Sequence, residues 1–450
     1  MKSNLLFAAN NGKYLLLIAL VSIACITSCR RPDQAGPNDN WCTAGINILT
    51  IDDANVPANI KTQIYAAPAS YTAVGSPNYN ANLPLVIIPF QFNTEFPHNT
   101  TVTTEVIRTN FFTTGTGSVR DYFSENSWGQ FNIREGWIAN LVTLTNNPAF
   151  YGMGQLGNDW TRNPAVAREI CQNSNVNWAA IDANGDGTIS RNEAQICFLV
   201  SAGGGGANRP SNITISTQTR SYNINASFVF FDCKRNSDPT RGTDALRYNY
   251  STIWHELAHG MFGLPDRYTD YCGSGRTGQY DLMSDNCSWR HMSMYDKMKI
   301  GWIRPKILVK PSQRADRARH CYTFPNSETT PAAVILWDQN QPNEYWIVEN
   351  RHKPSSPRGF DRDLPESGLA IWWVDDRYNQ LSLVDARDVT VRPNTILYDA
   401  TLNQQGVLFK NRTGATDATF NMQFLRSSIN STEMGIRAPS PEGATMFVEF

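Results

Sequence analysis

The chain has 450 residues and a formal net charge of −1, with 39 basic and 40 acidic side chains. This length is enough for two or three domains with substantial cores, and the near-zero charge without a basic run argues against a nucleic-acid partner. Aromatic residues make up 11% of the chain and charged residues only 18%, which is typical of a β-rich secreted protein that buries ample apolar surface.

The first 29 residues are expected to be a lipoprotein signal peptide. Lys2 and Lys13 precede an apolar run at residues 14–26, which is too short to span a bilayer but has the length of a signal-peptide core. The small residues before Cys29 resemble a bacterial lipobox, so Cys29 is expected to be lipidated and to anchor the protein to the bacterial cell envelope, at the outer membrane or cell surface. An ordinary signal peptide that contains a cysteine is the alternative.

Three parts follow the signal peptide. Residues 30–83 are polar and rich in Pro, Asn and Ala, which predicts a tether or a short pro-segment. Residues 84–305 are expected to form a first globular domain, and residues 306–450 a second, β-rich domain. The main predicted elements are a strand at 83–90, helices at 119–126 and 164–173, and strands at 196–200, 333–337, 345–348, 369–374 and 446–450.

Residues 182–193 match a twelve-residue calcium loop at every diagnostic position, with Gly187 at the sixth position, where the chain must turn sharply. The expected ligands are the side chains of Asp182, Asn184 and Asp186, the backbone carbonyl of Thr188 and the bidentate carboxylate of Glu193. A solvated acidic turn is the alternative. Only one such loop is present and a strand soon follows it, so we expect a structural Ca²⁺ rather than a calcium sensor.

The segment His255-Glu256-Leu257-Ala258-His259 predicts a zinc site on a helix. Positions i and i+4 project from one helical face, so both imidazoles can bind one ion. Glu256 follows the first ligand, where its carboxylate can act as the general base toward a water activated by zinc. Ser251 and Thr252 favour the start of this helix and Gly263 its end. A helix with two exposed histidines is the alternative.

Seven cysteines remain once Cys25 and Cys29 are assigned to the signal peptide and the anchor. Seven is odd, so at least one is free or pairs between chains. Cys272 and Cys287 bracket a glycine-containing loop just after the zinc helix and are the preferred disulfide pair.

Further motifs accompany the zinc helix. They are Gly117 to Gly129 (GSVRDYFSENSWG), Asp186-Gly187 followed by a strand and Ala202-Gly203, Gly263 to Tyr268 (GLPDRY), Tyr280 to Ser284 (YDLMS), Lys299 to Trp302 (KIGW), Glu344 to Arg351 (EYWIVENR) and Gly368 to Asp375 (GLAIWWVD). With the zinc motif, they resemble the immune inhibitor A family of secreted bacterial zinc metallopeptidases, from about residue 84 to the end. The resemblance implies an α+β chain in which a metzincin-like catalytic domain precedes a sandwich-like β domain.

The same resemblance implies further site residues. Met283 would form an apolar methionine turn beneath the zinc, a role close to that of an ordinary core methionine. The family pattern places a glycine three residues after the second histidine and a ligand three further on. Here Gly263 and Asp266 each come one residue late, so Asp266 is the nearest candidate for the third ligand, with an exposed or supporting role as the alternative.

Tyr268 and Tyr280 are candidates to donate to the tetrahedral oxyanion, although a tyrosine in such a position more often belongs to the core or the rim. The expected activity is hydrolysis of proteins or peptides, with the predicted strand at 196–200 pairing with extended substrate along its edge. A non-catalytic surface lipoprotein that binds glycans or host protein is one alternative, and a zinc hydrolase of a non-peptide bond is another. The protein is expected to be a monomer.

Overall fold

The structure is a computed structural model that describes residues 45–93, 97–98, 100–151, 163–200, 206–210, 212–232, 250–268, 276–284, 287–310, 313–315, 320–355, 359–377, 380–383 and 443–449. Within these residues the fold is mixed α and β, with seven α-helices and with strands arranged in four sheets. At this coarse level the fold agrees with the expected α+β class. Cys29 and the predicted signal peptide lie outside the described residues.

The helices are α1 (Ala58–Tyr65), α2 (Thr104–Phe112), α3 (Val119–Asn126), α4 (Pro164–Asn173), α5 (Trp178–Ile181), α6 (Tyr250–Phe262) and α7 (Met294–Ile300). The first ten strands are β1 (Ile46–Asn47), β2 (Asn82–Gln91), β3 (Asn132–Ile138), β4 (Val142–Thr143), β5 (Thr188–Ser190), β6 (Gln195–Val200), β7 (Gly206–Pro210), β8 (Ile213–Ser216), β9 (Ser221–Asn225) and β10 (Ser227–Asp232). The others are β11 (Lys306–Val309), β12 (Cys321–Pro325), β13 (Val334–Trp337), β14 (Glu344–Arg351), β15 (Gly368–Asp375), β16 (Gln380–Leu383) and β17 (Thr445–Glu449).

The sheet that carries the candidate site has the strand order β3-β2-β6-β10-β7, with β4 also paired to β2. Its strands are parallel except for β7, which is antiparallel to β10. Side chains of one face, such as Leu85 and Ile87, pack with α2, α3 and α6, whereas Val86 and Ile88 pack with α4 and the small sheet β5-β9-β8. Because both faces are covered, the central strands are continuously apolar.

Strand β6 is an interior strand, which contradicts the expectation that its edge could pair with substrate. It is hydrogen-bonded to β2 on one side and to β10 on the other, so neither edge has free backbone groups. In the described part of this sheet, β7 is the outer strand next to β10, and it contacts helix α6.

The second domain is built on the sheet β11-β13-β14-β15-β16. One face of this sheet, including Trp346 and Trp373, packs against the small sheet β1-β12-β17. The other face, including Tyr345 and Trp372, packs against α7 and α1. The described strands therefore form a two-sheet sandwich that is covered on its outer side by helices, and this double burial explains why β14 and β15 lack polar alternation.

The described part of the predicted tether or pro-segment, residues 45–83, is integrated into the fold. Strand β1 pairs in parallel with β12, and Ile64 of α1 is fully buried against the second domain. Thr72 donates its N–H to the carbonyl of Phe262 at 2.8 Å, which joins the segment to the end of α6. This part of the chain is therefore not an extended tether, because its apolar side chains pack into three hydrophobic cores.

A search of the described helices finds none that is both long enough and apolar enough to cross a membrane.

Candidate metal centre

Helix α6 carries two candidate ligands on one face. His255 and His259 are four residues apart, so their imidazoles project to the same side, while Trp254 packs into the core on another side. The helix ends at Phe262 because Gly263 adopts a φ of +69°, a left-handed conformation that favours glycine, and donates its N–H to the carbonyl of His259.

Three ligand atoms converge beside this helix. His255 Nε2 lies 2.9 Å from Asp266 Oδ1 and 3.0 Å from His259 Nε2, and His259 Nε2 lies 3.0 Å from the same carboxylate oxygen. Among the described residues, this is the one group of three His, Cys, Asp or Glu side chains whose ligand atoms all lie within 4.8 Å of one another. The structure thus brings Asp266 to the two histidines of the motif.

The outer nitrogens of both imidazoles determine where the protons lie. His255 Nδ1 is 3.0 Å from the carbonyl oxygen of Leu282, and His259 Nδ1 is hydrogen-bonded to the carbonyl of Leu264. A carbonyl only accepts, so each Nδ1 is the donor, and in the tautomer with this proton arrangement Nε2 carries a lone pair. Two lone pairs and a carboxylate oxygen about 3 Å apart repel one another unless a proton or a cation lies between them.

The donor set suits a zinc ion. Zinc takes imidazole nitrogen and carboxylate oxygen at roughly 2.0–2.2 Å, and a tetrahedral ion with such bonds separates its ligands by about 3.4 Å. The observed separations of 2.9–3.0 Å need to open by only a few tenths of an ångström. Three protein ligands leave one position for water or substrate, as in catalytic rather than structural zinc sites. The backbone carbonyls that orient the rings are the supports expected behind metal-binding histidines.

Charges within the group reinforce the arrangement. Burial alone favours a neutral Asp266, but hydrogen bonds to the two histidines and their charge outweigh it, so the pKa of this carboxyl lies well below its usual range. Burial lowers the pKa of His259, whereas the hydrogen bond and negative charge of Asp266 raise it, and the net shift is upward. Asp266 and His259 therefore each favour the charged form of the other. A negative carboxylate beside two imidazoles is the electrostatic environment expected at a cation site.

Two further predicted site residues lie beside this group. Glu256 is buried, at 8% exposure, and its negative charge contributes to raising the pKa values of both His259 and Tyr268. The Tyr268 ring is half-buried, with its centroid 5.8 Å from that of His255. Burial and the charges of Asp266 and Glu256 raise the pKa of Tyr268 to about 12, which keeps its hydroxyl protonated and able to donate.

No family model matches the chain, and no curated protein matches it. The interpretation of the site therefore depends on its own geometry.

Met283 and Tyr280 occupy different environments. Met283 is fully buried in the core around α6. It directly follows Leu282, whose carbonyl oxygen accepts the hydrogen bond from His255 Nδ1. Tyr280 is also fully buried and packs with α7 and the second domain. Of the two tyrosines, Tyr268 is the one whose ring lies next to a candidate ligand at a stated distance, 5.8 Å from His255.

The loop after α6 is held by a buried ionic network that sequence reasoning missed. Arg267 lies 2.6 Å from Asp296 and 3.4 Å from Asp281, and its backbone N–H donates to the carbonyl of Met283. The Tyr71 hydroxyl donates to Asp296 at 2.7 Å. Because Arg267 directly follows Asp266, the network fixes the third candidate ligand. Its members are far apart in sequence, and although Arg267 and Asp281 lie within two of the motifs above, their spacing does not indicate that they meet.

The predicted calcium loop has the expected backbone shape. Gly187 has a φ of +86° and donates its N–H to Asp182 Oδ2 at 2.9 Å. Asp182 Oδ1 is buried and has no hydrogen-bond partner among the described residues, whereas Oδ2 lies 3.5 Å from Arg220.

The other predicted calcium ligands are linked within the loop. Asn184 Oδ1 accepts from the N–H of Asp186, Asp186 Oδ1 accepts from the N–H of Thr188, and Glu193 accepts from Ser190. The three carboxylates of the loop are not among the described groups whose ligand atoms all lie within 4.8 Å. The buried, unpartnered Oδ1 of Asp182 is a suitable cation ligand. For the loop to coordinate Ca²⁺, the carboxylates of Asp186 and Glu193 would have to move closer to this oxygen.

Cys287 is disulfide-bonded, and so is Cys321. Cys272, the predicted partner of Cys287, lies outside the described residues. Cys171 and Cys197 are buried free thiols.

Proposed function

We propose that the protein is a zinc-dependent metalloendopeptidase that hydrolyses protein substrates by direct attack of water. The observation that carries this proposal is the convergence of three possible ligand atoms from His255, His259 and Asp266, with both outer imidazole nitrogens bonded to carbonyls. Two imidazoles and one carboxylate also suit iron(II). Glu256, placed directly after the first ligand and buried beside the second, favours hydrolysis.

A zinc ion in this site would polarise the scissile carbonyl and lower the pKa of water toward ~7. Glu256 accepts the proton of the attacking water and returns it to the leaving amine, so no covalent intermediate forms. Tyr268, protonated and next to His255, donates to the oxygen that becomes negative in the tetrahedral state. The carbonyls of Leu282 and Leu264 keep both rings oriented throughout.

The test is the variant Glu256→Gln, which keeps the shape of the side chain but removes the base. We expect the purified variant to retain one zinc per chain by elemental analysis and to lose casein hydrolysis by a factor of at least about 10². The matched control is Glu105→Gln, because Glu105 is a glutamate exposed to solvent at the start of α2 and should leave hydrolysis unchanged.

The outcomes separate the alternatives. Unchanged casein turnover in Glu256→Gln contradicts the mechanism. A wild-type protein that binds zinc but cleaves neither casein nor a peptide library is a binding protein or acts on another bond. Activity that returns with iron(II) but not with zinc after chelation contradicts the choice of metal.

The calcium loop adds a structural Ca²⁺ to this proposal. The ligands would be Asp182, Asn184, Asp186, Thr188 and Glu193, and the buried, unpartnered Oδ1 of Asp182 supports it. Calcium is expected to raise the melting temperature of the wild-type protein but not of Asp182→Asn. An equal response in both proteins would refute the site.

The N-terminal anchor also remains a proposal. Lipidation of Cys29 would tether the peptidase to the cell envelope, and Cys29→Ala is then expected to move the protein from the membrane fraction to the soluble fraction. Retention of that variant in the membrane fraction would contradict the anchor.

A further inference from the structure

A cavity of about 940 Å³ lies between residues 115–129, which include helix α3, and residues 326–360 of the second domain. Its volume is within the size range of small-molecule pockets. Trp128 and Ser124 belong to one wall, and Asn326, Glu328 and His352 belong to the other. None of the candidate zinc or calcium ligands lines it. The cavity is therefore separate from both proposed metal sites.

The carboxylates of the first wall are already compensated. Asp121 accepts hydrogen bonds from the four successive backbone N–H groups of residues 115–118. Glu125 lies 3.0 Å from His291 Nε2, and the Nδ1 of the same ring lies 3.2 Å from the Lys297 ammonium. An ammonium only donates, so His291 accepts from Lys297 and donates to Glu125. Glu125 is thus linked to Lys297 through the His291 ring.

The carboxyl group of the second wall is buried and paired. Glu328 is 7% exposed and is hydrogen-bonded to Asp361, and Arg351 in turn donates to both carboxylate oxygens of Asp361. Burial, followed by the negative charge of Asp361, raises the pKa of Glu328 far above its ordinary value. On the same wall, Nδ1 of His352 is buried and has no hydrogen-bond partner among the described residues. One buried polar atom at the cavity wall is therefore available to a ligand.

Trp128 is held at the cavity in a strained conformation. Its φ is +51°, the one positive φ outside glycine among the described residues. Such a conformation costs roughly 1–3 kcal/mol and persists where the surroundings require it, often at ligand sites. The indole is oriented by a 3.1 Å hydrogen bond from Nε1 to the Ser327 carbonyl, and the Lys297 ammonium lies 5.0 Å from the ring centroid.

We propose that this cavity is a binding site for a neutral saccharide of two or three sugar units. Its walls combine a fixed indole surface with groups that both donate and accept hydrogen bonds, and they carry no uncompensated charge. Hydroxyl groups of a sugar can pair with His352 Nδ1 and the Asn326 amide, while the C–H face of a pyranose lies against Trp128. A cationic ligand is disfavoured because the acidic side chains of the walls are already paired with other groups.

The test is binding of cellotriose, maltotriose and N,N′,N″-triacetylchitotriose, measured by isothermal titration calorimetry on the full-length protein. We expect at least one of them to bind, and Trp128→Gly to weaken that binding at least tenfold, since glycine tolerates the left-handed backbone but lacks the indole. Ser124→Trp fills the cavity without removing a contact and should also abolish binding. Trp137→Phe is the matched control, because Trp137 packs in the core on the far side of the first sheet and does not line the cavity.

Three results would overturn the proposal: no binding of any trisaccharide at about 10 mM, binding that survives both Trp128→Gly and Ser124→Trp, or binding of spermidine in preference to all three sugars. Glu256→Gln should bind sugar like the wild-type protein. The inference is therefore independent of the proposed peptidase activity.

Discussion

At the scale of single residues, the candidate site is organised by hydrogen bonds that determine proton positions. The carbonyls of Leu282 and Leu264 accept from the Nδ1 atoms of His255 and His259. These contacts fix the tautomers that leave both Nε2 atoms free to bind a metal. Asp266 Oδ1 lies about 3 Å from both Nε2 atoms. This residue comes one position later in the chain than the third ligand of the family that the sequence resembles.

Asp266→Ala tests this third ligand. Loss of one of three ligands should weaken zinc binding by a factor of at least about 10², measured by competition with a chromophoric chelator. The matched control is Tyr268→Phe, because the Tyr268 ring also lies next to His255 but is proposed to act on the oxyanion. It should keep its zinc and lose kcat by a factor of roughly 10²–10³. Zinc affinity equal to wild type in Asp266→Ala would assign this residue a supporting role.

At the scale of elements, the end of α6 lies next to the candidate metal centre and contacts residues 70–72 of the N-terminal part of the chain. Gly263 has a φ of +69°, and a Cβ atom at this position would lie 2.0 Å from the carbonyl oxygen of Ser70. The neighbouring Thr72 N–H bonds to the carbonyl of Phe262. The tight approach of two chain segments, together with the left-handed turn, requires glycine here.

Gly263→Ala is therefore expected to lower the free energy of unfolding by at least about 3 kcal/mol, because left-handed strain and overlap with a backbone oxygen add. Gly75→Ala is the matched control: its φ is +87° but no atom lies within 4 Å of the added Cβ, so it should cost only about 1–2 kcal/mol. Denaturant unfolding monitored by circular dichroism measures both. Equal losses in the two variants would mean that the contact with Ser70 is unimportant.

At the scale of the whole molecule, the second domain supports the turn beneath the metal centre. Arg351 of β14 donates to the Tyr280 carbonyl, and Asp361 accepts from the backbone N–H of His291. The carbonyl of His291 in turn accepts from the N–H of Leu282, the residue that orients His255. Buried charged groups of β14 and of the chain that follows it thus hold this turn in place.

This buried cluster predicts a pH dependence. Burial and the charge of Asp361 raise the pKa of Glu328 from 4.5 to about 10, so folding takes up a proton between these values. The folded state binds more protons than the unfolded state, so this group destabilises the fold increasingly as pH rises through that window, by at most about 1.4 kcal/mol per pH unit. Glu328→Gln mimics the neutral form of the side chain. The free energy of unfolding of this variant, relative to that of the wild type, should therefore be higher at pH 8 than at pH 5.

Urea unfolding at the two pH values measures this difference, with Glu105→Gln as the exposed control. A stability difference between Glu328→Gln and wild type that does not change with pH would mean that Glu328 is ionised in the folded protein.

Local patterns were sufficient for much of the fold. Helices α3 and α4 begin and end where their capping residues and apolar spacing predict, at Val119–Asn126 and Pro164–Asn173. The i and i+4 histidines of α6 required nothing beyond helical periodicity. Such features depend on neighbours within a few residues, so the sequence contains all the information they need.

The rest depended on contacts between residues far apart in the chain. The sequence by itself determined which side chains α6 presents, and hence the type of chemistry proposed. Only the tertiary structure brought Asp266 to both histidines, directed Tyr280 into the second core, packed the apolar side chains of residues 45–83 into the fold and enclosed β6 between β2 and β10. The physical reason is that periodicity specifies a face of an element, whereas the partner of that face is selected by packing and by buried charge pairs, which leave no regular spacing in the sequence.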